Sequence, residues 1–209
     1  RRFLINFSNK NLRFFVVVTT LIRHFDISVL ITYVLDMNNI AAVTVTWNSQ
    51  EEVFRVITSA GQQVNEVIVV DNGSELKDLE NLRRYAGTHS HIHLLENGQN
   101  LGIAAAFNRA ARYAVSKKYE WLLTLDDNGY CEPDMVKKLF AAYHALPAQE
   151  QKQTAIVAPN YNTLKGLVYE GDTPRFLPTT ISSGQLVKLS VWQEVGPYKE
   201  DFFITGVDH

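Results

Sequence analysis

From Ile40 onward the sequence alternates short runs of β-branched and aliphatic residues with segments of helical periodicity, and this alternation limits the possible folds more than any other feature. The apolar runs that we predict as strands cover residues 40–46, 67–70, 92–96, 121–125 and 155–158. Strands and helices that alternate at this spacing form a mostly parallel sheet with helices on both faces, joined by right-handed crossovers. The sequence therefore predicts an α/β fold with a mostly parallel central sheet.

Helical patterns fill the gaps between these strands. The predicted helices cover residues 51–63, 75–85, 103–117 and 133–145. Ser49 and Glu52 have the spacing of a capping box, in which two side chains bond to each other's backbone N–H groups, and this predicts the start of the first helix. Beyond residue 160 the pattern loosens, and we predict one more strand over 181–189 and a short helix that ends at Gly196.

Residues 1–36 differ from the rest of the chain. They carry five Lys and Arg, two Asp, and two short apolar runs that charged residues separate. Neither run approaches the roughly 20 residues that a membrane-spanning helix needs. We expect Met37 to be the natural start, residues 1–36 to lie outside the fold, and residues 37–209 to form one domain. A helix that lies against a membrane is the alternative for the N-terminal segment.

The composition is that of a globular protein with nearly balanced charge. The 209 residues include 20 Lys and Arg and 22 Asp and Glu, which gives a formal net charge of −2. Because no basic field covers the molecule, nucleic acid is not an expected partner. The single cysteine, Cys131, excludes an internal disulfide and a cysteine-based zinc cluster, and it fits a reducing compartment.

Polar side chains follow three of the predicted strands at the point where each strand ends. These groups are Thr46-Trp47-Asn48, Asp71-Asn72 and Asp126-Asp127-Asn128. In open α/β sheets, ligands bind in the crevice beyond the carboxyl ends of the strands. The sequence therefore predicts that these three groups share one rim of the sheet and that a binding site lies there.

Each polar group has both a structural and a functional interpretation. Asp71 can accept hydrogen bonds from a nucleotide base or a ribose, or it can be a turn aspartate before Asn-Gly. Asn100 and Gly102 precede a predicted helix, whose first backbone N–H groups suit an anion or simply start the helix. The acidic and amide oxygens after residue 125 suit Mg²⁺ or Mn²⁺, or they belong to a solvated turn. The sequence lacks the G-x-G-x-x-G and Walker phosphate loops, which disfavours dehydrogenases and P-loop proteins.

Six short motifs occur in a fixed order after Ile40. They are residues 43–48 (VTVTWN), 69–74 (VVDNGS), 100–108 (NLGIAAAFN), 121–128 (WLLTLDDN), 182–184 (SSG) and 201–208 (DFFITGVD). Together they resemble the inverting, nucleotide-sugar-dependent glycosyltransferases of family 2, and within that family the rhamnosyltransferase-like members. The resemblance covers residues 40–209 and implies the GT-A fold, which is a Rossmann-like α/β fold.

The resemblance implies a role for each matching residue. The residues implied around the donor nucleotide are Thr46, Asn48, Asp71, Asn100, Gly102, Asn108 and Asp126. Of these, Asp71 would hydrogen-bond the base, and Asp126 would lie near the ribose. Asp126 and Asn128 take the two ends of the D-x-D motif and would hold Mg²⁺ or Mn²⁺. Asp208 aligns with the catalytic base that removes the proton of the acceptor hydroxyl.

The partners follow from the same resemblance. The implied donor is a nucleoside diphosphate sugar, linked to dTDP or UDP, and the sugar is transferred with inversion. The implied acceptor is a glycan or a lipid-linked glycan, as in the biosynthesis of cell-envelope polysaccharides. The expected location is the cytoplasm, with peripheral contact at the inner face of the membrane as a further expectation.

Two features depart from the family pattern. Asn128 stands where the family usually has a second aspartate, and its neutral amide would bind a metal more weakly than a carboxylate. The sequence ends at His209, directly after the implied base, so we expect a donor-binding part that is truncated on the acceptor side. The alternative function is a non-catalytic or degenerate nucleotide-binding module. A nucleotidyltransferase is disfavoured because residues 47–52 lack a glycine- and basic-rich loop.

Overall fold

A computed structural model of the chain describes residues 15–19, 39–160, 162–163, 166–167, 175–177 and 180–201. The strands are β1 (Phe15–Thr19), β2 (Ile40–Thr46), β3 (Glu66–Asp71), β4 (Ile92–Glu96), β5 (Trp121–Leu125), β6 (Thr154–Pro159), β7 (Asn162–Thr163), β8 (Gly166–Leu167), β9 (Arg175–Leu177) and β10 (Gln185–Lys188). The helices are α1 (Glu52–Gly61), α2 (Leu76–Gly87), α3 (Ile103–Ser116), α4 (Met135–His144), α5 (Ala148–Gln153) and α6 (Leu189–Val195). From β2 to β6, strands and helices alternate as the sequence predicts.

Eight of the described strands form one sheet in the order β4-β3-β2-β5-β10-β6-β1-β9. Four neighbouring pairs are parallel: β4 with β3, β3 with β2, β2 with β5, and β6 with β1. The pairs of β10 with β5 and β6, and of β9 with β1, are antiparallel. The prediction of a mostly parallel sheet is confirmed. The reversed β10 lies within the predicted strand at 181–189, whose apolar pattern carries no information on direction.

The strand β1 corrects one expectation from the sequence. Phe15–Thr19 runs parallel to β6, with Val16 opposite Ile156, and antiparallel to β9. The expectation that residues 1–36 lie outside the fold is therefore wrong for this stretch. The reason is local: a run of three valines has a strong preference for a strand, and a strand can join a sheet at β6 whatever charged residues flank it.

The two faces of the sheet bury separate hydrophobic clusters, because successive side chains of a strand point to opposite sides. On one face, Ile40 and Ala42 of β2 belong to a cluster with residues of α1 and α4. On the other face, Ala41 and Val43 belong to a cluster with α3. The buried side of α3 is mostly alanine, which allows the helix to approach the sheet closely: Ala104, Ala106, Ala110, Ala111 and Ala114.

The helix starts differ from the predictions in detail. No side chain caps the first turn of α1, so the predicted capping box of Ser49 and Glu52 does not form. The helix α4 begins at Met135, two residues later than predicted, because Asp134 has the left-handed φ of 61°. Gly196 follows the last residue of α6, as predicted. None of the described helices combines the length and the hydrophobicity that crossing a membrane requires.

Candidate functional site

The carboxyl ends of β3, β2 and β5 lie side by side at one edge of the sheet. In the parallel ladders, Thr46 is opposite Asp71, and Thr44 is opposite Leu125. The loops that follow these three strands therefore start next to one another. This edge, made of the loops after β2, β3 and β5 and the loop before α3, is called the carboxyl rim below.

Asp71, the last residue of β3, uses its carboxylate to close the turn that follows. Its oxygens accept hydrogen bonds from the backbone N–H groups of Gly73 at 3.1 Å and Ser74 at 3.2 Å, and the residue has no exposed surface. Of the two interpretations that the sequence left open, the structure places Asp71 in the turn. A contact of Asp71 with a nucleotide base stays a prediction.

The turn after Asp71 packs directly on the loop that precedes α3. Gly73 has a φ of +85°, and a Cβ atom at this position would lie 2.6 Å from the Cα of Gln99. Real Cβ atoms do not approach backbone so closely, and the backbone conformation itself favours glycine. The close approach of the two loops therefore depends on the absence of a side chain at Gly73.

Asn72 joins the same two loops through its side chain, which is 4% exposed. Its amide nitrogen donates to the Oδ1 of Asn100 at 2.9 Å and to the carbonyl of Gly102 at 3.3 Å. Its amide oxygen accepts from the side chain of Asn97 at 2.9 Å and from the backbone N–H of Leu101 at 3.2 Å. The loop that carries Asn100 and Gly102 is thus fixed against the end of β3.

Asn48 connects the loop after β2 to the loop after β3. Its backbone N–H donates to the Oγ of Ser74 at 3.0 Å, and its side-chain oxygen accepts from the N–H of Glu75 at 2.7 Å. Asn48 has a φ of 56°, in the left-handed region that asparagine occupies more readily than most residues. The neighbouring Thr46 is buried and continues the strand.

Large exposed apolar side chains are concentrated at the carboxyl rim. Of the five that are exposed among the described residues, four follow the ends of β2, β3, β4 and β5: Trp47, Leu76, Leu101 and Tyr130. Trp47, at 56% exposure, belongs to the rim and not to the core. The rim therefore offers apolar surface beside its polar groups, as a site for a flat organic ligand requires.

The turn after β5 is held by the segment that precedes β10. The N–H of Asp126 donates to the Oγ of Ser183 at 3.2 Å, and the N–H of Gly184 donates to the carbonyl of Thr124 at 2.7 Å. The hydroxyl of Thr124 also donates to the carbonyl of Ser182. Residues 182–184 and the acidic turn, which the sequence singles out as separate motifs, are therefore in direct contact.

The three polar side chains after β5 have different surroundings. Asp126 is partly exposed, and Asn128 is exposed. The carboxylate of Asp127 accepts a hydrogen bond from the hydroxyl of Ser49, which comes from the loop after β2. The hydroxyl that the sequence assigned to a helix cap thus joins two loops of the carboxyl rim.

Asn108 is fully buried in α3. Its amide nitrogen donates to the carbonyl of Tyr198 at 2.8 Å and to a carboxylate oxygen of Glu200 at 2.9 Å. Its amide oxygen accepts from the N–H of Tyr198 at 2.8 Å. These contacts anchor the segment after α6, and the role in the nucleotide pocket that the resemblance implies for Asn108 stays a prediction.

An arginine supports the outer side of the loop before α3. The guanidinium of Arg109 donates to the carbonyl of Glu96 at 2.7 Å and to the side-chain oxygen of Asn97. The carboxylate of Glu96 pairs with Arg83 at 2.6 Å, and the hydrogen bond from Arg83 lowers the pKa of Glu96. Because this ion pair is exposed, it contributes little to stability.

Cys131 follows the acidic turn but has the properties of a core residue. It is 1% exposed, and burial raises the pKa of its thiol to about 11. A thiol with such a pKa is almost entirely protonated near neutral pH, and the thiolate is the reactive form. Cys131 is therefore unsuited to act as a nucleophile.

Comparison with known proteins decides the family. Residues 41–167 match the family described as Glycosyl transferase family 2. The chain is also 34% identical over 187 residues to the dTDP-rhamnosyl transferase RfbF of Shigella flexneri. The chain belongs to glycosyl transferase family 2. The aligned part covers 82% of this chain and 61% of RfbF, so the chain spans less than two thirds of the length of that relative.

Solved glycosyltransferases share the fold of this family 2 chain. Residues 1–349 of S. aureus TarS have a TM-score of 0.60 at 15% identity, with 81% of this chain and 53% of TarS covered. The mannosyltransferase PcManGT from Pyrobaculum calidifontis, in complex with GDP-Man and Mn²⁺, has a TM-score of 0.60 at 16% identity, with 87% of this chain and 57% of PcManGT covered. At such identities the likeness establishes the GT-A fold alone.

The family implies a divalent cation. The side-chain oxygens of the described residues after β5 provide part of a site for such an ion. Asp126 and Asn128 offer a carboxylate and an amide oxygen, which are the hard ligands that Mg²⁺ and Mn²⁺ prefer. Among the residues that the structure describes, no group of three or more His, Cys, Asp or Glu is placed to hold a metal. Two protein oxygens suffice for an ion that shares the phosphates of its substrate.

Sequence reasoning did not predict the contacts that connect the motifs of this family 2 chain. Asn72, Ser49 and Ser183 each bond to a partner in a different loop. The only signal in the sequence is that each is a short polar residue next to a predicted strand end or motif residue. Asp208, the implied base, lies outside the described residues.

Proposed function

We propose that this chain is the donor-binding part of a glycosyltransferase that moves a sugar from a nucleoside diphosphate to a glycan or lipid-linked acceptor. The observation that carries the proposal is that Asn48, Asn72 and Ser49 join the loops of the carboxyl rim into one surface. Ligands of open α/β sheets bind at this edge. The similarity to a dTDP-rhamnosyl transferase makes dTDP-linked rhamnose the first donor to test.

In the proposed reaction, the oxygen of an acceptor hydroxyl attacks the anomeric carbon of the sugar. The attack comes from the face opposite the diphosphate, so the new carbon–oxygen bond forms as the bond to the diphosphate breaks, and the anomeric configuration inverts. Asp208 would take the proton of the attacking hydroxyl, because a carboxylate within hydrogen-bond reach can act as a general base.

The residues of the carboxyl rim would bind and orient the donor. Asn100 and the first backbone N–H groups of α3 would face the diphosphate, Gly102 would shape the loop that carries them, and Asp71 would contact the base. Asp126 and Asn128 would hold Mg²⁺ or Mn²⁺, which supplies positive charge to neutralise the departing diphosphate. Because the fold would hold these groups in place before the donor binds, little free energy would be needed to orient them during the reaction.

Calorimetric titration with dTDP, UDP and GDP, each with and without Mn²⁺, tests donor binding. We expect dTDP to bind and Mn²⁺ to strengthen the binding. Asp126→Asn should reduce the effect of Mn²⁺, whereas Asp134→Asn removes the same charge from an exposed position after the site and should not. If none of the three nucleotides binds to the folded chain, the proposal is wrong.

A second candidate function is a nucleotide-binding module without catalysis. One observation favours it: Asn128 is exposed and neutral where a metal-binding site would gain from a second carboxylate. Such a module would bind nucleotide with no dependence on Mn²⁺. The change Asn128→Asp separates the two functions, because it should raise Mn²⁺ affinity in an enzyme with a weakened metal site and leave it unchanged in the module.

A further inference from the structure

The direction in which the Asn100 side chain faces is fixed by its partners. The oxygen and nitrogen of an asparagine amide have nearly the same shape, so their positions must be argued from the groups that they contact. A backbone N–H can only donate, and the N–H of Gly102 lies 3.0 Å from the Oδ1 of Asn100. The atom that faces Gly102 must therefore be the oxygen of Asn100.

The neighbouring Asn72 is oriented by the same kind of evidence. The N–H of Leu101, which can only donate, lies 3.2 Å from its Oδ1. The carbonyl of Gly102, which can only accept, lies 3.3 Å from its Nδ2. The nitrogen of Asn72 therefore also donates to the oxygen of Asn100, at 2.9 Å. Two donors, the NH₂ group of Asn72 and the backbone N–H of Gly102, therefore hold the oxygen of Asn100.

The amide nitrogen of Asn100 consequently faces the other way. It has no hydrogen-bond partner within the part of the chain that the structure describes, and Asn100 is partly exposed. It stands just before the first turn of α3, which has no side-chain cap. An unpaired NH₂ group beside uncapped N–H groups is an arrangement of donors only, which suits an anion.

We propose that Asn72 is a positioning residue that makes Asn100 present its NH₂ group to the carboxyl rim, where this group donates a hydrogen bond to the diphosphate of the donor. The inference rests on the proposed function. Asn72 itself does not bind the ligand, because Asn97, Asn100, Leu101 and Gly102 occupy both hydrogens and both lone pairs of its amide.

The change Asn100→Asp tests the contact with the diphosphate. A carboxylate can still accept from Asn72 and Gly102, so the loop should keep its structure, but an anionic oxygen replaces the NH₂ group. We expect the affinity for dTDP, UDP or GDP, whichever the wild type binds, to fall about 10- to 100-fold, as expected for a lost hydrogen bond to a charged group. Affinity for the corresponding nucleoside should change less than about twofold.

Asn65→Asp is the matched control for added charge. The side-chain oxygen of Asn65 accepts from the N–H of Ile40 at 3.0 Å, so an aspartate can make the same bond. This pair lies at the amino end of β2, the opposite edge from the carboxyl rim. Asn65→Asp adds the same charge as Asn100→Asp and should leave nucleotide affinity within about twofold of the wild type.

The change Asn72→Asp tests the positioning role. An aspartate keeps the acceptor for Leu101 but sets an oxygen against the oxygen of Asn100 and the carbonyl of Gly102. In either orientation the amide of Asn100 then has one mismatched neighbour, the new carboxylate or the N–H of Gly102, so its NH₂ group should no longer be held towards the rim. We expect diphosphate affinity to fall as in Asn100→Asp, although Asn72 touches no ligand. A merely structural role would weaken nucleoside and diphosphate binding alike.

Hydrogen exchange of side-chain amides, measured by NMR without nucleotide, reports the orientation directly. In the wild type the NH₂ of Asn72 should exchange slowly and that of Asn100 quickly. Slow exchange of the Asn100 NH₂ in the wild type would overturn the inference. So would equal loss of nucleoside and diphosphate affinity, or no loss, in Asn100→Asp. If the wild type binds no nucleotide, the proposed function is wrong, and the inference fails with it because Asn100 then has no diphosphate to bind.

Discussion

The hydroxyl of Ser49 donates a hydrogen bond to the carboxylate of Asp127, and this contact joins the loop after β2 to the turn after β5. The two strands are parallel neighbours, so their loops start at the same edge of the sheet. Ser49 also accepts from the N–H of Trp47 at 3.3 Å. The contact therefore fixes the backbone of an exposed tryptophan beside the acidic turn.

We expect Ser49→Ala to reduce the free energy of unfolding by about 1 kcal/mol, because it removes a partly exposed hydrogen bond to a charged group. It should also weaken nucleotide binding, since the loop after β2 loses its tie to the turn after β5. Urea unfolding and calorimetry measure the two effects. Ser116→Ala is the control: within the described part of the chain, its hydroxyl bonds to the carbonyl of Tyr113 alone, at the exposed end of α3. Equal effects of the two changes on nucleotide binding would contradict the prediction.

Local patterns were enough to predict most of the strands and the position of the rim. The strands β2 to β6 lie within two residues of the predicted bounds, because a short apolar run buried on both faces is visible in the sequence alone. Parallel pairing then brings Thr46 and Asp71 to the same edge without further information. The family resemblance, drawn from six short motifs, is confirmed by the match over residues 41–167.

Contacts between distant segments could not be predicted in this way. The spacing of Ser49 and Glu52 is correct for a capping box, but the hydroxyl of Ser49 donates to Asp127 and accepts from the N–H of Trp47, both outside the first turn of α1. Asn108 has a motif position that suggests the donor pocket, yet its partner Tyr198 lies 90 residues away. Such choices depend on which loops the fold brings together, and a local pattern does not contain that information.

Gly73→Ala should destabilise the protein strongly. The φ of +85° costs an alanine about 1–2 kcal/mol, and the new Cβ would lie 2.6 Å from the backbone of Gln99, so the two loops must move apart. We expect a loss of more than about 2 kcal/mol in the free energy of unfolding. Urea denaturation measures it, and nucleotide affinity should fall as well because the Asn100 loop is displaced.

Gly98→Ala separates the steric clash with Gln99 from the free-energy cost of a positive φ. Gly98 has a similar φ of +71°, but a Cβ there would meet no atom within 4 Å. We therefore expect this change to cost only the conformational term, about 1–2 kcal/mol, and to leave nucleotide affinity nearly unchanged. A loss of stability in Gly98→Ala as large as that in Gly73→Ala would show that contact with Gln99 is not important.

His93 should make the protein less stable as the pH falls. Its ring stacks on Tyr113 at 4.0 Å, and burial lowers its pKa; nearby Lys117 and Arg109 act in the same direction, while Glu66 opposes them. The folded state thus favours the neutral ring, and the unfolded chain takes up a proton first. Stability should therefore decrease as the pH falls below about 7 towards the lowered pKa.

The change His93→Gln should flatten this part of the stability profile. Urea unfolding of the wild type and the variant between about pH 8 and pH 5 measures the difference. At the upper end of the range the ring of His93 is neutral, so the difference there does not come from protonation and reports the lost stacking on Tyr113. If the two curves stay parallel down to the acid end, protonation of His93 is not linked to folding.

Asn108→Ala should loosen the segment after α6 and spare the donor site. The variant removes all three hydrogen bonds to Tyr198 and Glu200 and leaves the backbone N–H and carbonyl of Tyr198 without these partners. We expect the free energy of unfolding to fall by about 2–3 kcal/mol, since buried polar groups lose their partners. Hydrogen exchange at the Tyr198 amide should become faster than in the wild type.

Nucleotide affinity in the same variant decides between the two roles of Asn108. If Asn108 is an anchor, as its contacts with Tyr198 and Glu200 indicate, the affinity for dTDP should stay within about twofold of the wild type at a temperature where the variant is folded. Asn39→Ala is the control for the loss of an amide: among the residues that the structure describes, its side chain bonds to Glu120 alone, at the opposite edge of the sheet. If dTDP affinity falls sharply while exchange at Tyr198 is unchanged, Asn108 belongs to the nucleotide pocket, because only a residue in contact with the ligand could act in that way.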